Sequence, residues 1–281
     1  MTGFLSAGFV FWPQTALARR RWRAACALPL LLLALCASAQ APEPGPVQAP
    51  PPLPGGIRII ELKGVITQAA VSKLRSVLEA VEAGRFPAGA IVLLDSNGGD
   101  GLAAIEIGRM VRAAGAHAFV RGRCASACVY ILAGGVVRGV ARDRAIGLHS
   151  PRLTTFVKGL GVVDINSATN RNAAAALEIG NRRSREYFSE MGLPDALFTA
   201  MMATPSEQMR YLDLADLPAL GLAGIDPAYL TEHAPAAARV YRISEEEYAR
   251  RTLAIPEKCL RDPSAAKEFL QCYRRVLRTG E

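Results

Sequence analysis

The residue types best placed for nucleophilic chemistry are a serine among small neighbours, in Gly122-Arg-Cys-Ala-Ser-Ala-Cys128, and a histidine in Leu148-His-Ser-Pro151. A serine hydroxyl becomes a useful nucleophile when an imidazole within hydrogen-bond reach takes its proton. Ser126 opens an apolar segment, 127–133, that reads as a buried helix, so free backbone N–H groups and the positive end of the helix dipole should lie beside it. His149 closes a short apolar strand at 145–148. Upstream, Asp95-Ser-Asn-Gly-Gly-Asp100 ends another strand on two glycines, where a bare backbone can approach a substrate carbonyl. The N–H groups of Gly99 and Ala127 are then the expected oxyanion donors. Of the three histidines, His117 begins a strand and His233 sits in a polar tail, which leaves His149 as the expected base. Serine, histidine and paired glycines in this arrangement point to acyl transfer.

Such a site needs a scaffold that brings strand ends together. Apolar strands read at 57–62, 90–94, 116–120, 136–141 and 145–148. Between them, Thr67 caps a helix carrying Val71, Leu74, Leu78 and Val81 on one face, and another runs from Leu102 to near Gly115. Helices follow at 170–191 and 194–202, and segments 209–212 and 214–220 close the domain around 221–226. Strands alternating with helices imply a wound α/β sheet with crossover connections. The tail differs in character. Ser244 with Glu247 forms a capping box, and Asp262-Pro263 starts a helix reaching about Leu277, so 57–235 reads as the α/β domain and 236–281 as a helical appendage.

The chain has 281 residues, 51% of them hydrophobic, enough for one sizeable core. Its net charge is +8, half of it from Arg19, Arg20, Arg21 and Arg23. No Lys/Arg run with interleaved aromatics follows downstream, so nucleic acid is not an expected partner. Those arginines precede an apolar run, 24–39, ending Ala37-Ser-Ala39, the pattern of a secretory signal. The run is shorter than the roughly 20 residues of a spanning helix. Cleavage after Ala39 is the expectation, an uncleaved anchor the alternative, and Cys36 fits a lipoprotein box poorly because Leu35 is large. Residues 40–56 are proline-rich and read as a semi-extended linker. A periplasmic or secreted protein keeps its disulfides. Cys124, Cys128, Cys259 and Cys272 allow three pairings, of which the economical one is local, Cys124–Cys128 and Cys259–Cys272. The alternative for Cys124-x3-Cys128 is zinc, but no second ligand pair follows, and neither metal nor cofactor is expected.

With these segments in place, 57–225 resembles the Clp/crotonase superfamily, and within it the proteolytic subunit of the Clp serine protease and related secreted proteins. Asp95-Ser-Asn-Gly-Gly99 is similar to that family's Asn-Ser-Pro-Gly-Gly turn, which supplies oxyanion donors. Cys124-Ala-Ser-Ala-Cys-Val-Tyr-Ile-Leu-Ala-Gly134 resembles its nucleophile segment, and Leu148-His-Ser-Pro151 its Ile-His-Gln-Pro. The resemblance implies Ser126 as nucleophile, His149 as base, Gly99 and Ala127 as oxyanion donors, a peptide or protein substrate, and self-association into trimers or rings. Where the family places an orienting Asp, this chain has Met209, in Met209-Arg-Tyr-Leu212. Glu207, Asp195 and Asp213 are the candidate replacements for that third member. Three other readings compete: a Ser126–Lys158 dyad, a crotonase-like acyl-CoA enzyme, and a catalytically inert binding or scaffold version of the fold. Export argues against acyl-CoA, a cytosolic substrate.

Overall fold

Alternating strands and helices resolve, in the computed structural model, into a largely parallel sheet with helices on both faces. The structure describes residues 56–86, 89–260 and 266–281. The signal read at 1–39, all but the last residue of the linker read at 40–56, and the helix start at Asp262-Pro263 lie outside the described residues.

In chain order, β1 (Arg58–Lys63), α1 (Gln68–Glu82), β2 (Ala90–Ser96) and α2 (Gly101–Ala113) lead to the long β3 (His117–Ala125). Then come α3 (Cys128–Gly134), β4 (Val137–Val140) and β5 (Ile146–Leu148), followed by β6 (Thr154–Val157) and β7 (Gly161–Asp164). Next are α4 (Arg171–Glu190), α5 (Asp195–Met202), β8 (Arg210–Leu212) and β9 (Gly224–Ile225). The chain closes with α6 (Pro227–Tyr241), α7 (Glu245–Cys259) and α8 (Ala266–Thr279).

The sheet order is β1-β2-β3-β4-β9, parallel through β4 and antiparallel at β9. β3 runs past the end expected from 116–120 because it serves two neighbours. Its first half pairs β4 (Ala118 with Arg138), while its last residues pair β5 (Ala125 with Gly147). β8 adds to β5 antiparallel. The strands expected at 136–141 and 145–148 are both present, each against a different part of β3 rather than against each other. β6 and β7 form a separate two-stranded hairpin, which the Gly159-containing stretch concealed from a periodicity reading.

Period-two alternation divides the sheet between two cores. Ile60, Leu62, Val92, Leu94, Ala118 and Val120 pack with helices α1 to α5. Ile59, Ile91, Leu93, Phe119 and Val137 pack on the other side with Ala234, Tyr248, Ile255, Phe269 and Val276 of α6 to α8. The C-terminal helices, read from sequence as an appendage, are thus the second helical layer of the sheet, and the expected boundary at 235/236 falls inside α6. α8 reaches this layer through an apolar stripe of Phe269, Leu270, Tyr273, Val276 and Leu277, and the Cys259–Cys272 disulfide ties it to α7. On the first face, α3 lies almost backbone to backbone on α2. A Cβ at Gly134 would fall 2.2 Å from the Gly108 carbonyl oxygen, so glycine is what permits this crossing.

His117, at the start of β3, is buried under the second layer between the hydroxyls of Tyr229 (3.1 Å from Nε2) and Tyr273 (3.4 Å from Nδ1). Burial, with a smaller contribution from His233, holds its imidazole down at about 4. The unfolded chain takes up this proton near pH 6.5 and the folded one only near 4. The stability is therefore full above about 6.5 and is lost as pH falls toward 4, about 3 kcal/mol in all. Thermal melts of the full chain should drop steadily between pH 6.5 and 4.5, above the range where carboxylates add their own loss. His117→Gln, which keeps a donor and an acceptor without titrating, should flatten that slope. An unchanged slope would show that His117 does not control it.

Candidate active site

Three strand ends converge on Ser126. β3 delivers it directly: the Cys124 N–H donates to the Ala145 carbonyl (2.8 Å) and the Ser126 N–H to the Gly147 carbonyl (2.9 Å). This ladder sets residue 126 beside the exit of β5, and two residues beyond Gly147 the chain presents His149. The Ser126 Oγ lies 2.7 Å from His149 Nε2. Both residues are half-buried.

The second ring nitrogen defines the chemistry of the first. His149 Nδ1 lies 2.7 Å from the Ser150 carbonyl oxygen. A carbonyl accepts only, so Nδ1 carries the proton, and Nε2 is left to accept from the Ser126 hydroxyl. Ser150 is itself anchored by its N–H to the Thr204 carbonyl (2.8 Å) after α5. None of the three candidate carboxylates binds this imidazole. Asp195 forks onto Arg185 (2.7 and 2.8 Å), Asp213 pairs with Arg144 (3.3 Å), and Glu207 accepts from the Ser206 hydroxyl (2.8 Å). Its own backbone N–H, followed by that hydroxyl, holds the Glu207 carboxyl below its ordinary range. Met209 packs over Gly147: a Cβ there would lie 2.7 Å from the thioether sulfur.

Ser126 has φ 55°, a left-handed conformation shared among the described non-glycine residues by Arg144 and Arg242 alone. Such a backbone costs a non-glycine residue about 1–2 kcal/mol and persists where surrounding structure enforces it. One enforcing element is the disulfide between Cys124 and Cys128, with Cα atoms 5.2 Å apart, which spans the turn. The cysteines bind each other, not zinc. Another is the Gly98–Gly99 turn after β2. Gly98 lies against Ser126: a Cβ on it would fall 2.7 Å from Ser126 Cβ and 3.1 Å from the Ala127 nitrogen. Gly99 abuts Ile66, whose backbone brackets it through Ile66 N–H to Gly98 O and Asp100 N–H to Ile66 O, both 2.9 Å. The Ser96 hydroxyl accepts from the Gly98 N–H (3.0 Å). Among the described residues, no hydrogen bond takes up the N–H of Gly99 or of Ala127.

Two contributors escaped the sequence reading. The Ser150 carbonyl orients the imidazole, but a main-chain acceptor leaves no mark in residue type. Asp95, exposed beside the turn, accepts the Arg123 N–H (3.0 Å) and braces β3 where its register with β2 shifts and Gly122 leaves room. Lys158 is exposed at the tip of the β6–β7 hairpin, without the apolar shell that a neutral lysine base requires.

Fold and site together define an α/β protein with a serine–histidine pair where parallel strands end, the usual ligand position of such sheets. No family model and no curated protein matches the sequence. Among solved structures, the chain is similar to a point mutant of ClpP1 from Listeria monocytogenes, at 13% identity over 59% of this chain and 88% of that one, with a TM-score of 0.42. It is also similar to a point mutant of the 1510-N membrane-bound stomatin-specific protease, at 14% identity over 59% of this chain and 76% of that one, with a TM-score of 0.41. Both likenesses are of fold.

Proposed function

We propose that the protein is an exported serine hydrolase acting on peptide or protein substrates. Ser126 serves as nucleophile, His149 as base, and the Gly99 and Ala127 N–H groups as oxyanion donors. One observation carries this reading: the 2.7 Å contact between Ser126 Oγ and His149 Nε2, with the opposite ring nitrogen engaged by a carbonyl. In the proposed reaction Nε2 takes the hydroxyl proton as Oγ attacks the substrate carbonyl. The carbonyl electron pair moves onto oxygen, beside the two unclaimed N–H groups. Collapse expels the leaving amine, which receives the proton back from His149, and water then releases the acyl group by the same route.

Export is supported by the basic-then-apolar composition of 1–39, cleaved or kept as an anchor, and by two disulfides, which persist in oxidising compartments. The peptide substrate class and assembly into trimers or rings rest on the resemblance of the three motif segments. The decisive experiment exposes the full chain to a fluorophosphonate probe and maps the adduct by mass spectrometry. The expected result is one adduct, on Ser126. A folded chain that takes no label would establish a second reading, an inert binding or scaffold protein. What favours that reading is the absence, among the described residues, of a carboxylate hydrogen-bonded to His149.

A further inference from the structure

We propose that closure of the Cys124–Cys128 disulfide switches the Ser126–His149 pair on, so that the reduced chain folds without reacting. The proposal rests on the hydrolase reading above. Ser126 sits midway between the two cysteines and holds the left-handed backbone that a serine rarely adopts unaided. Hydrogen bonds to β5 fix the chain on the N-terminal side of Ser126, through the N–H groups of residues 124 and 126. Beyond Ser126 the chain turns at once into α3, whose first residue is Cys128. Ala127, between them, donates no hydrogen bond among the described residues. On the C-terminal side the Ser126 and Ala127 carbonyls accept from the N–H groups of Val129 (3.0 Å) and Tyr130 (3.2 Å). The disulfide is the one covalent constraint added to these bonds and to the Gly98 contact in holding the angle between β3 and α3, and with it the direction of Oγ toward His149.

Its position in the chain separates this role from ordinary stabilisation. The cross-link joins residues only 4 apart, against 13 for Cys259–Cys272, so it constrains the unfolded chain the less of the two. Both of its cysteines are 0% exposed, so once formed it is shielded by the native fold. Closing it is a two-electron oxidation. Each thiol loses its proton, a sulfur–sulfur bond forms, and a disulfide donor such as oxidised glutathione accepts the electrons and leaves as two thiols. A chain still in a reducing compartment would thus carry a silent hydrolase, and arrival in an oxidising one would activate it.

The test compares the oxidised full chain with Cys124→Ala/Cys128→Ala and Cys259→Ala/Cys272→Ala under the same fluorophosphonate probe. The first double variant should lose about 100-fold in the maximal labelling rate, with little change in the probe concentration giving half that rate. The second should melt at lower temperature and label at the wild-type rate. Should the first variant fail to fold, the Cys259→Ala/Cys272→Ala chain is unfolded, reduced with a phosphine and refolded under reducing conditions, and thiol alkylation of a denatured aliquot confirms that Cys124 and Cys128 are free. Labelling should then be lower by a similar factor than in the same chain refolded with oxidised glutathione. Equal labelling with the bridge open and closed overturns the proposal while leaving the hydrolase intact. An oxidised chain that takes no label removes the hydrolase reading and the switch with it.

Discussion

Ser126→Ala should leave the full chain unlabelled by the fluorophosphonate probe, and His149→Ala should slow labelling about 10³-fold, with both variants folded. Removal of Oγ removes the attacking atom itself while keeping Cβ, so contacts with Gly98 and the disulfide turn persist. Removal of the imidazole leaves the hydroxyl in place without the acceptor 2.7 Å away, and a positioned base is worth about 10² to 10⁴ in rate. Pseudo-first-order labelling rates measure both effects, and far-ultraviolet circular dichroism reports the fold. Wild-type labelling by Ser126→Ala would place the reactive group elsewhere. Wild-type labelling by His149→Ala would reduce the imidazole to a structural hydrogen-bonding partner.

Gly98→Ala is expected to cost about 10² in labelling rate through displacement of Ser126. Its φ is 105°, a region L side chains rarely adopt, and the new Cβ would meet Ser126 Cβ at 2.7 Å and the Ala125 carbonyl oxygen at 2.9 Å. Neither neighbour is the end of a flexible side chain, so the β3–α3 turn must give way. A displacement near about 1 Å is enough for a loss of that size. Gly115→Ala supplies the comparison, because Gly115 also has a positive φ, 57°, but nothing lies within 4 Å of its added Cβ. Both variants should lower the melting temperature, and only Gly98→Ala should slow labelling. Equal rates in the two would show that the turn after β2 does not steer Ser126.

Much of the fold was legible because it rests on local pattern. The continuous apolar run at 90–94 and the stripe of Val71, Leu74, Leu78 and Val81 announce a buried strand and an amphipathic helix wherever they pack. The expected helices at 170–191 and 194–202 appear within a residue of α4 and α5, since Asn170 caps the first and Pro194 precedes the second. Illegible were the features that depend on distant partners. The length of β3 reflects which strand each half meets. The role of α6 to α8 as a full helical layer depends on Phe119 and Ile91 waiting on the far face of the sheet.

The same division runs through the candidate site. By itself the sequence determined the ingredients: a serine between two cysteines, a histidine after a strand, two glycines ending another, and four cysteines whose local pairing is the economical one. Residue types and spacing carry these because capping, turn formation and short-range cross-linking are local physics. Tertiary structure decided what the ingredients do to one another. It brought Ser126 Oγ to Nε2, gave Nδ1 a main-chain carbonyl in place of Asp195, Asp213 or Glu207, and turned each of those carboxylates toward a neighbour of its own. A backbone acceptor has no residue type of its own, and strands far apart in the chain meet only through the register of the sheet.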